Sequence, residues 1–339
     1  MSELPKHVPL PCTMDDASYN KYLHGFEIVD CSVRNRNILY LVALSRALPR
    51  RRSFFYDDRK TRVLVHFANK SADRRWTRVD YEGYMGMRAG ATQLPDERFV
   101  GVDRAGQVVS IGQGQLLNED EIPSGLRGPA RGGIRATKTI AGKLHACTGN
   151  RGLARRDAVG SWSSLCSGLR TSGSSDVGFS DFDSLDGVEF YCVGGSCDAW
   201  HFDGTAWNQI LLPGRNVGME LTNVCCAADG WIYILAADSR LWKGRRQDWT
   251  LIDNGAAVPP VKDLVRFGNQ IFASTKHALW EIGEDGCRRV VLAPGICECT
   301  GYLAVADGVM LMAGEGGAAL NTGQDWQLLV RTRRCADAM

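Results

Sequence analysis

The sequence predicts an all-β fold, a single ring of seven blades that each hold four antiparallel strands. Three features predict it. A turn glycine precedes a β-rich run about every 40 residues, and an aromatic residue followed three positions later by an aliphatic one recurs at a similar interval. A third row of large residues, mostly tryptophan, lies between these two. Four strands per period of about 40 residues is the pattern of a seven-bladed β-propeller when seven copies are present.

The turn glycines mark a connection between two strands of successive repeats. They precede the runs KLHACT, VEFYCV, WIYILA, NQIFAS and VMLMAG, at spacings of 45, 43, 38 and 40 residues. Glycine is favoured at a fixed turn position because it adopts a positive φ without strain. The five positions are Gly142, Gly187, Gly230, Gly268 and Gly308.

The aromatic-aliphatic pairs extend the repeat to seven copies. A degenerate copy at Glu119 and Ile122 completes the series, whose spacings are 43, 43, 45, 42, 38 and 39. The intervening row lies six or seven residues earlier in each repeat, which fits two short strands joined by a tight turn. The other pairs are Trp76/Val79, Trp162/Leu165, Trp207/Ile210, Trp249/Ile252, Cys287/Val290 and Trp326/Leu329, and the intervening row is Trp200, Trp242, Trp280 and Leu320.

These repeats assign one domain to most of the chain. We expect an N-terminal arm at 1–21, a propeller at 22–331 and a C-terminal tail at 332–339. A closed ring hides sheet edges, whereas a solenoid, the alternative, would need capping repeats that are not visible. Whether the arm adds a strand to the last blade is left open. The predicted blades are about 22–82, 83–130, 131–174, 175–215, 216–257, 258–295 and 296–331.

The turn and tryptophan pattern of blades 3 to 7 resembles bacterial WD-repeat-like and Asp-box propellers. The segment from Asp203 to Trp207 is similar to the Asp box, Ser-x-Asp-x-Gly-x-x-Trp, but the serine and the Asp–Gly spacing differ. The resemblance implies the propeller fold over about 300 residues. It implies no sialidase chemistry, because a fold does not determine a function.

The composition is that of an ordinary globular protein, with 44% hydrophobic and 23% charged residues, which excludes a disordered chain. The first residues lack the apolar core of a secretory signal, and no apolar run approaches the roughly 20 residues of a membrane span. We therefore expect a soluble cytoplasmic protein without membrane contact. Its twelve cysteines should be mostly free thiols that pack as small apolar side chains.

No catalytic or metal-binding motif is visible. Gly-x-Ser-x-Gly, Ser-x-x-Lys and His-Glu-x-x-His are absent, and Cys192/Cys197 and Cys297/Cys299 have no partners at zinc-site spacing. We therefore predict no catalytic residue, no metal and no cofactor. A propeller can still assemble a site from one residue per blade around its axis. An enzyme of hydrolase or lyase type, or a small-ligand binder with its site in the central funnel, is the alternative.

Charge is distributed unevenly along the chain. Residues 1–160 carry 26 Lys+Arg and 17 Asp+Glu, a net charge of +9, and residues 161–339 carry 14 and 21, a net charge of −7. In a ring this gives a basic side and an acidic side, which suits steering toward a charged protein partner. The alternative is that these charges only solvate the surface.

The most distinctive local element is a long basic loop in blade 1, containing Arg50–Arg52 and then Arg59, Lys60 and Arg62. Its counterparts in other blades have three or four residues, and long loops on a rigid scaffold often carry function. All these loops follow the second strand of a blade, so they share one face. The predicted binding residues on it are Arg50, Arg51, Arg52, Arg104, Arg151, Lys276 and His277, with Asp238 and Glu315 opposite.

Together these features predict a non-catalytic, protein-binding propeller of a bacterial cytoplasm. By analogy with small intracellular propellers that cap a toxin, we hypothesise an immunity protein whose partner is a toxin or secreted effector. A nucleic-acid-binding propeller is the second alternative, but the pI of about 8.0 is below that expected of such a binder. Tyr81, Tyr84 and the run Phe54-Phe55-Tyr56 could stack on bases, although aromatic residues beside strands more often pack in the core.

Overall fold

The computed structural model describes residues 11–47, 52–53, 56–57, 59–173, 177–216, 218–252, 260–283 and 286–332. It contains seven four-stranded antiparallel sheets. The first strand of each blade packs against the first strands of the two neighbouring blades, and the first and last blades also meet, so the sheets form a ring. This confirms the predicted all-β fold and the seven-bladed propeller.

The elements follow one another blade by blade. Helix α1 (Asp16–Tyr22) precedes blade 1, which contains β1 (Phe26–Asn35), β2 (Ile38–Ser45), an inserted hairpin of β3 (Arg52–Ser53) and β4 (Tyr56–Asp57), β5 (Thr61–Phe67) and β6 (Trp76–Tyr81). Blade 2 contains β7 (Arg88–Thr92), β8 (Arg98–Val102), β9 (Val108–Gly112) and β10 (Gln115–Glu119). Blade 3 contains β11 (Ile134–Ile140), β12 (Lys143–Thr148), β13 (Gly152–Ala158) and β14 (Ser161–Ser164). Blade 4 contains β15 (Phe179–Ser184), β16 (Phe190–Gly194), β17 (Asp198–Phe202) and β18 (Trp207–Gln209).

The same order continues in the second half of the ring. Blade 5 contains β19 (Leu221–Cys226), β20 (Ile232–Ala236), β21 (Leu241–Arg245) and β22 (Asp248–Ile252). Blade 6 contains β23 (Asp263–Phe267), β24 (Gln270–Ser274), β25 (Leu279–Gly283) and β26 (Gly286–Arg289). The short helix α2 (Pro294–Cys297) precedes blade 7, which contains β27 (Tyr302–Ala306), β28 (Val309–Gly314), β29 (Gly317–Asn321) and β30 (Trp326–Arg331). Single 3-10 turns lie at Ala72–Arg74 and Gly195–Cys197.

The sequence repeat corresponds to fixed positions in the blade. The five turn glycines lie between the first and second strands, with φ between +62° and +88°. The two rows of large residues lie on the third and fourth strands, where they pack between blades. Trp242 is the clearest case, because it is fully buried and its Nε1 donates to the Pro213 carbonyl at 2.9 Å.

The N-terminal arm joins the first blade to the last. Cys12 forms a parallel bridge with Leu328 on the outer strand β30. The Thr13 amide donates to the Leu328 carbonyl at 3.0 Å, and the Met14 amide donates to the Leu329 carbonyl at 2.9 Å. The chain then enters blade 1, so these bonds hold both ends of the ring together. This answers the question that the sequence left open.

Helix α1 within this arm was not predicted, because its seven residues are too short to show a helical stripe. Asp15 caps it by accepting a hydrogen bond from the Ser18 amide at 2.7 Å. Tyr19 and Leu23 are buried against the core shared by blades 1 and 7. Among the described residues, no helix is long and apolar enough to cross a membrane. The described cysteines are free thiols, most of them buried.

Candidate binding face and axial cavity

The predicted binding residues that the structure describes lie on one face of the ring. This face, here called the loop face, carries the connections between the second and third strands of each blade. Arg104 follows β8, Arg151 follows β12 and Asp238 follows β20, while Lys276 and His277 follow β24 and Glu315 follows β28. Arg52 lies in β3 of the inserted hairpin. Arg50 and Arg51 lie outside the described residues.

Arg151 forms an ion pair with Asp198 between blades 3 and 4. Its Nε donates to Asp198 Oδ2 at 2.7 Å, and its guanidinium lies 4.9 Å from the centre of the Trp200 ring. The Arg151 side chain is 18% exposed and that of Asp198 is 3% exposed. Arg151 therefore stabilises the blade interface and offers little free charge to a partner.

Lys276 and Glu315 lie beside each other, because blades 6 and 7 are adjacent in the ring. Their Nζ and Oε1 atoms are 3.1 Å apart, and both side chains are more than half exposed. The expected arrangement, with Glu315 across the face from Lys276, is therefore wrong. Asp238 is paired locally with Arg240, whose Nε donates to it at 2.9 Å.

The long basic loop of blade 1 contains a short antiparallel hairpin of β3 and β4. In its backbone register, residue 52 lies opposite residue 57 and residue 53 opposite residue 56. At its base, Lys60 is exposed and lies 3.1 Å from Glu82. By sequence, residues 46–60 hold six Lys+Arg and two Asp, a net charge of +4. The connection between β2 and β5 is therefore basic in sequence.

Three residues near this loop, Arg62, Tyr81 and Tyr84, are engaged in packing between or within blades. Arg62 is buried, donates to Asp80 through Nε and Nη2 at 2.6 Å each, and stacks on Phe26 at 3.8 Å. The Tyr81 and Tyr84 rings pack edge to face with centroids 5.6 Å apart. These contacts place both tyrosines in packing between blades 1 and 2.

A cavity of about 690 Å³ opens where blades 6, 7 and 1 meet on the loop face. We call it the rim cavity. It brings together three predicted residues, Lys276, His277 and Glu315, with Glu27 at the start of β1 and Glu298 after α2. Sequence reasoning missed the two glutamates because they are more than 270 residues apart (298 − 27 = 271). The only local feature beside Glu298 is the pair Cys297 and Cys299, for which the sequence predicts no metal site and which gives no indication of a carboxylate-lined cavity.

A second cavity of about 590 Å³ follows the ring axis and is lined by the first strands of the blades. Three of its aspartates connect neighbouring blades. Asp30, Asp181 and Asp263 each accept a hydrogen bond from a backbone amide of the next blade's first strand, at 3.0, 3.0 and 3.1 Å. The amides belong to Ala89, Val224 and Leu303.

Lys138 partly neutralises the carboxylates that line the axial cavity. Its Nζ lies 2.8 Å from Asp181 Oδ1 and 3.2 Å from the Val224 carbonyl. Burial opposes its charge, but Asp181, Asp183 and Asp263 raise the pKa of Lys138 above its usual value. Burial likewise raises the pKa of Asp181 to about 6. The described axial carboxylates are therefore already engaged by amides and by Lys138, as expected of inter-blade contacts.

No protein-family model matches the sequence. The chain is 26% identical over 235 residues to a protein of Pseudomonas aeruginosa named Immune protein Tsi7. The match covers 68% of this chain and 76% of that protein.

Solved structures share the fold at low sequence identity. The WD40 β-propeller domain of Doa1 has a TM-score of 0.59 at 10% identity, covering 86% of this chain and 91% of that one. YCF48 bound to D1 peptide has a TM-score of 0.58 at 15% identity, covering 88% and 94%. A streptogramin B lyase has a TM-score of 0.52 at 13% identity, covering 72% and 83%. A peptide-bound protein and a lyase share this ring, so the fold alone does not decide the function.

Proposed function

We propose that this protein is a cytoplasmic immunity protein that binds a cognate secreted toxin and neutralises it. The observation that carries the proposal is the 26% identity to Immune protein Tsi7, which extends over 235 residues of the repeat-containing chain. The sequence alone led to the same hypothesis. A rigid ring fits such a role because it presents its connecting loops without a large cost of ordering them on binding.

The toxin would bind the loop face. That face carries the hairpin β3–β4, and the connection that contains it, residues 46–60, has a net charge of +4 by sequence. A partner with an acidic surface opposite blade 1 would be attracted and oriented by this charge. The axial carboxylates are engaged between blades, so the axial cavity supports a separate enzyme function less well.

Deletion of the gene in its source bacterium tests the immunity role even while the toxin is unidentified. In contact-dependent co-culture on a surface, we expect the deletion strain to be outcompeted by its parent at least about tenfold. A plasmid carrying the wild-type gene should restore parity. Equal fitness of the deletion strain and the parent in contact would refute the proposal.

Charge reversal on the plasmid-borne protein tests the face. The variant Arg50/Arg51/Arg52→Glu should fail to protect, because it changes the charge of the hairpin loop by six units. A matched control, Arg36/Lys70/Arg74→Glu, makes the same charge change in exposed turns on the opposite face. The control should protect as well as wild type. Equal protection by both variants would show that the loop face at blade 1 is not the binding surface.

A further inference from the structure

The rim cavity is open toward the loop face and has a mixed wall. Ile28, Val29 and Pro294 give it apolar surface, and Glu27, Glu298 and Glu315 give it three carboxylates. Its floor is backbone. A Cβ atom on Gly314 would lie 2.1 Å from the Thr300 carbonyl, and one on Gly316 would lie 2.1 Å from the Glu298 carbonyl. Close backbone packing at these glycines thus forms the concave floor.

The carboxylates of this cavity are unequally neutralised. Glu315 is paired with Lys276 at 3.1 Å. Glu298 lies 3.8 Å from Arg331, which is a looser contact. Glu27 has no ion pair or hydrogen-bonded side chain among the described residues, although it lies half-buried beside the apolar wall. Lys262 also lines the cavity, but its Nζ faces the Tyr302 ring at 6.0 Å.

We infer that the rim cavity is an anchor site for one basic side chain, arginine or lysine, of the partner protein. Such a side chain lays its apolar stem along a hydrophobic wall and directs its charged head to a carboxylate. Glu27 supplies that carboxylate beside Ile28, Val29 and Pro294. Arginine is also frequent among the residues that dominate the binding energy of protein interfaces.

The anchor site rests on the proposed function and would fix the orientation in which the toxin binds. The blade 1 connection that contains the hairpin is basic in sequence, and the rim cavity holds Glu27, a carboxylate that is unpaired among the described residues. A toxin that presents an acidic patch to the hairpin and a basic side chain to the cavity can bind in one orientation only. Opposite charges at two separated points give specificity in this way.

The electrostatic part can be tested on the isolated full-length protein, because Cys297 lies in the cavity wall and is partly exposed. The probes are two thiol reagents of similar size, a cationic and an anionic methanethiosulfonate, with modification of Cys297 followed by peptide mass spectrometry. The cationic reagent should react faster at Cys297 than the anionic one, relative to their ratio at the exposed Cys12. Glu27→Gln should lower this preference by about threefold. A faster anionic reagent, or no change in Glu27→Gln, would overturn the inference.

The binding part is tested in the co-culture assay described above. Glu27→Lys should lose protection at least about tenfold, because it places a like charge where the partner's cation binds. Glu121→Lys is the matched control, since Glu121 is an exposed glutamate on the connection between blades 2 and 3, outside the cavity. Thermal melting of both purified variants reports whether they fold.

The outcomes separate the two proposals. Full protection by a folded Glu27→Lys variant, when the wild-type protein protects, would overturn the anchor site and leave the immunity role intact. Failure of the wild-type protein to protect would refute the immunity role, and the partner's basic anchor would fall with it. Loss of protection in Glu27→Lys, with Glu121→Lys unaffected, supports the anchor site.

Discussion

The buried ion pair between blades 2 and 3 gives the sharpest stability prediction. Arg156 is completely buried on β13, and its Nε and Nη2 donate to the two carboxylate oxygens of Glu119 at 3.0 and 2.7 Å. Glu119 also accepts the Gly160 amide at 3.0 Å. Replacing Glu119 by alanine would leave a buried guanidinium without its counter-charge.

The expected loss of stability follows from leaving the buried Arg156 guanidinium unpaired. Removing one partner of a buried ion pair destabilises a protein by about 3–5 kcal/mol. For 339 residues the unfolding entropy near the midpoint is about 0.7 kcal/mol per kelvin. Glu119→Ala should therefore lower Tm by about 4–7 °C in differential scanning calorimetry. The double variant Glu119→Met/Arg156→Met should recover much of this loss, because apolar side chains of similar volume replace both charges.

An exposed ion pair serves as the control. Arg34 Nε donates to Glu97 Oε2 at 2.9 Å, and the Glu97 side chain is 49% exposed. Such pairs contribute about 0–1 kcal/mol, so Glu97→Ala should lower Tm by at most about 1–2 °C. If Glu119→Ala is no more destabilising than Glu97→Ala, the argument from burial is incorrect.

Three further predictions concern the ring. Burial lowers the pKa of His66 and of His145 to about 4. The unfolded chain therefore binds more protons than the folded one below about pH 6.5, and the free energy of unfolding should fall by up to about 3 kcal/mol per histidine between pH 6.5 and pH 4. His66→Phe, which also removes two unpartnered ring nitrogens, should weaken this dependence in urea titrations at pH 7 and pH 5, and an unchanged dependence would contradict it. Asp263→Ala should cost about 1–3 kcal/mol by leaving the Leu303 amide unpaired, and a variant as stable as wild type would show that the axial carboxylates do not hold the blades together. Deleting residues 1–14 should lower Tm by removing the parallel bonds to β30, and an unchanged Tm would show that blades 1 and 7 hold the ring closed without the arm.

Much of the fold could be predicted because the repeat is local. Glycines equivalent to Gly230 and large residues equivalent to Trp242 recur in a unit of about 40 residues, and each such unit forms one four-stranded sheet. Helix α1 and the hairpin β3–β4 lie outside the repeat, so no periodicity marked them. The capping of α1 by Asp15 depends on a single side chain, which composition and spacing do not distinguish from an ordinary loop residue.

The candidate site was predictable only in part. The order of strands in a blade placed Arg104, Lys276 and Glu315 on one face before their contacts were known. It did not show that Arg151 is engaged by Asp198, because that contact joins two blades. Glu27 could not be identified from the sequence, because it is the second residue of β1 and no motif surrounds it.

The sequence by itself determined that the chain is a seven-bladed ring, that its charges are divided between two halves and that a basic loop interrupts blade 1. These properties depend on the spacing and the composition of residues, which are visible in the linear sequence. Only the tertiary structure decided which charges are free. Ring closure brings residue 27 beside residues 298 and 315, so that Glu27 faces an open cavity while Glu315 is paired with Lys276. Whether a charge can bind a partner depends on its neighbours in space, and in a closed ring those neighbours come from opposite ends of the chain.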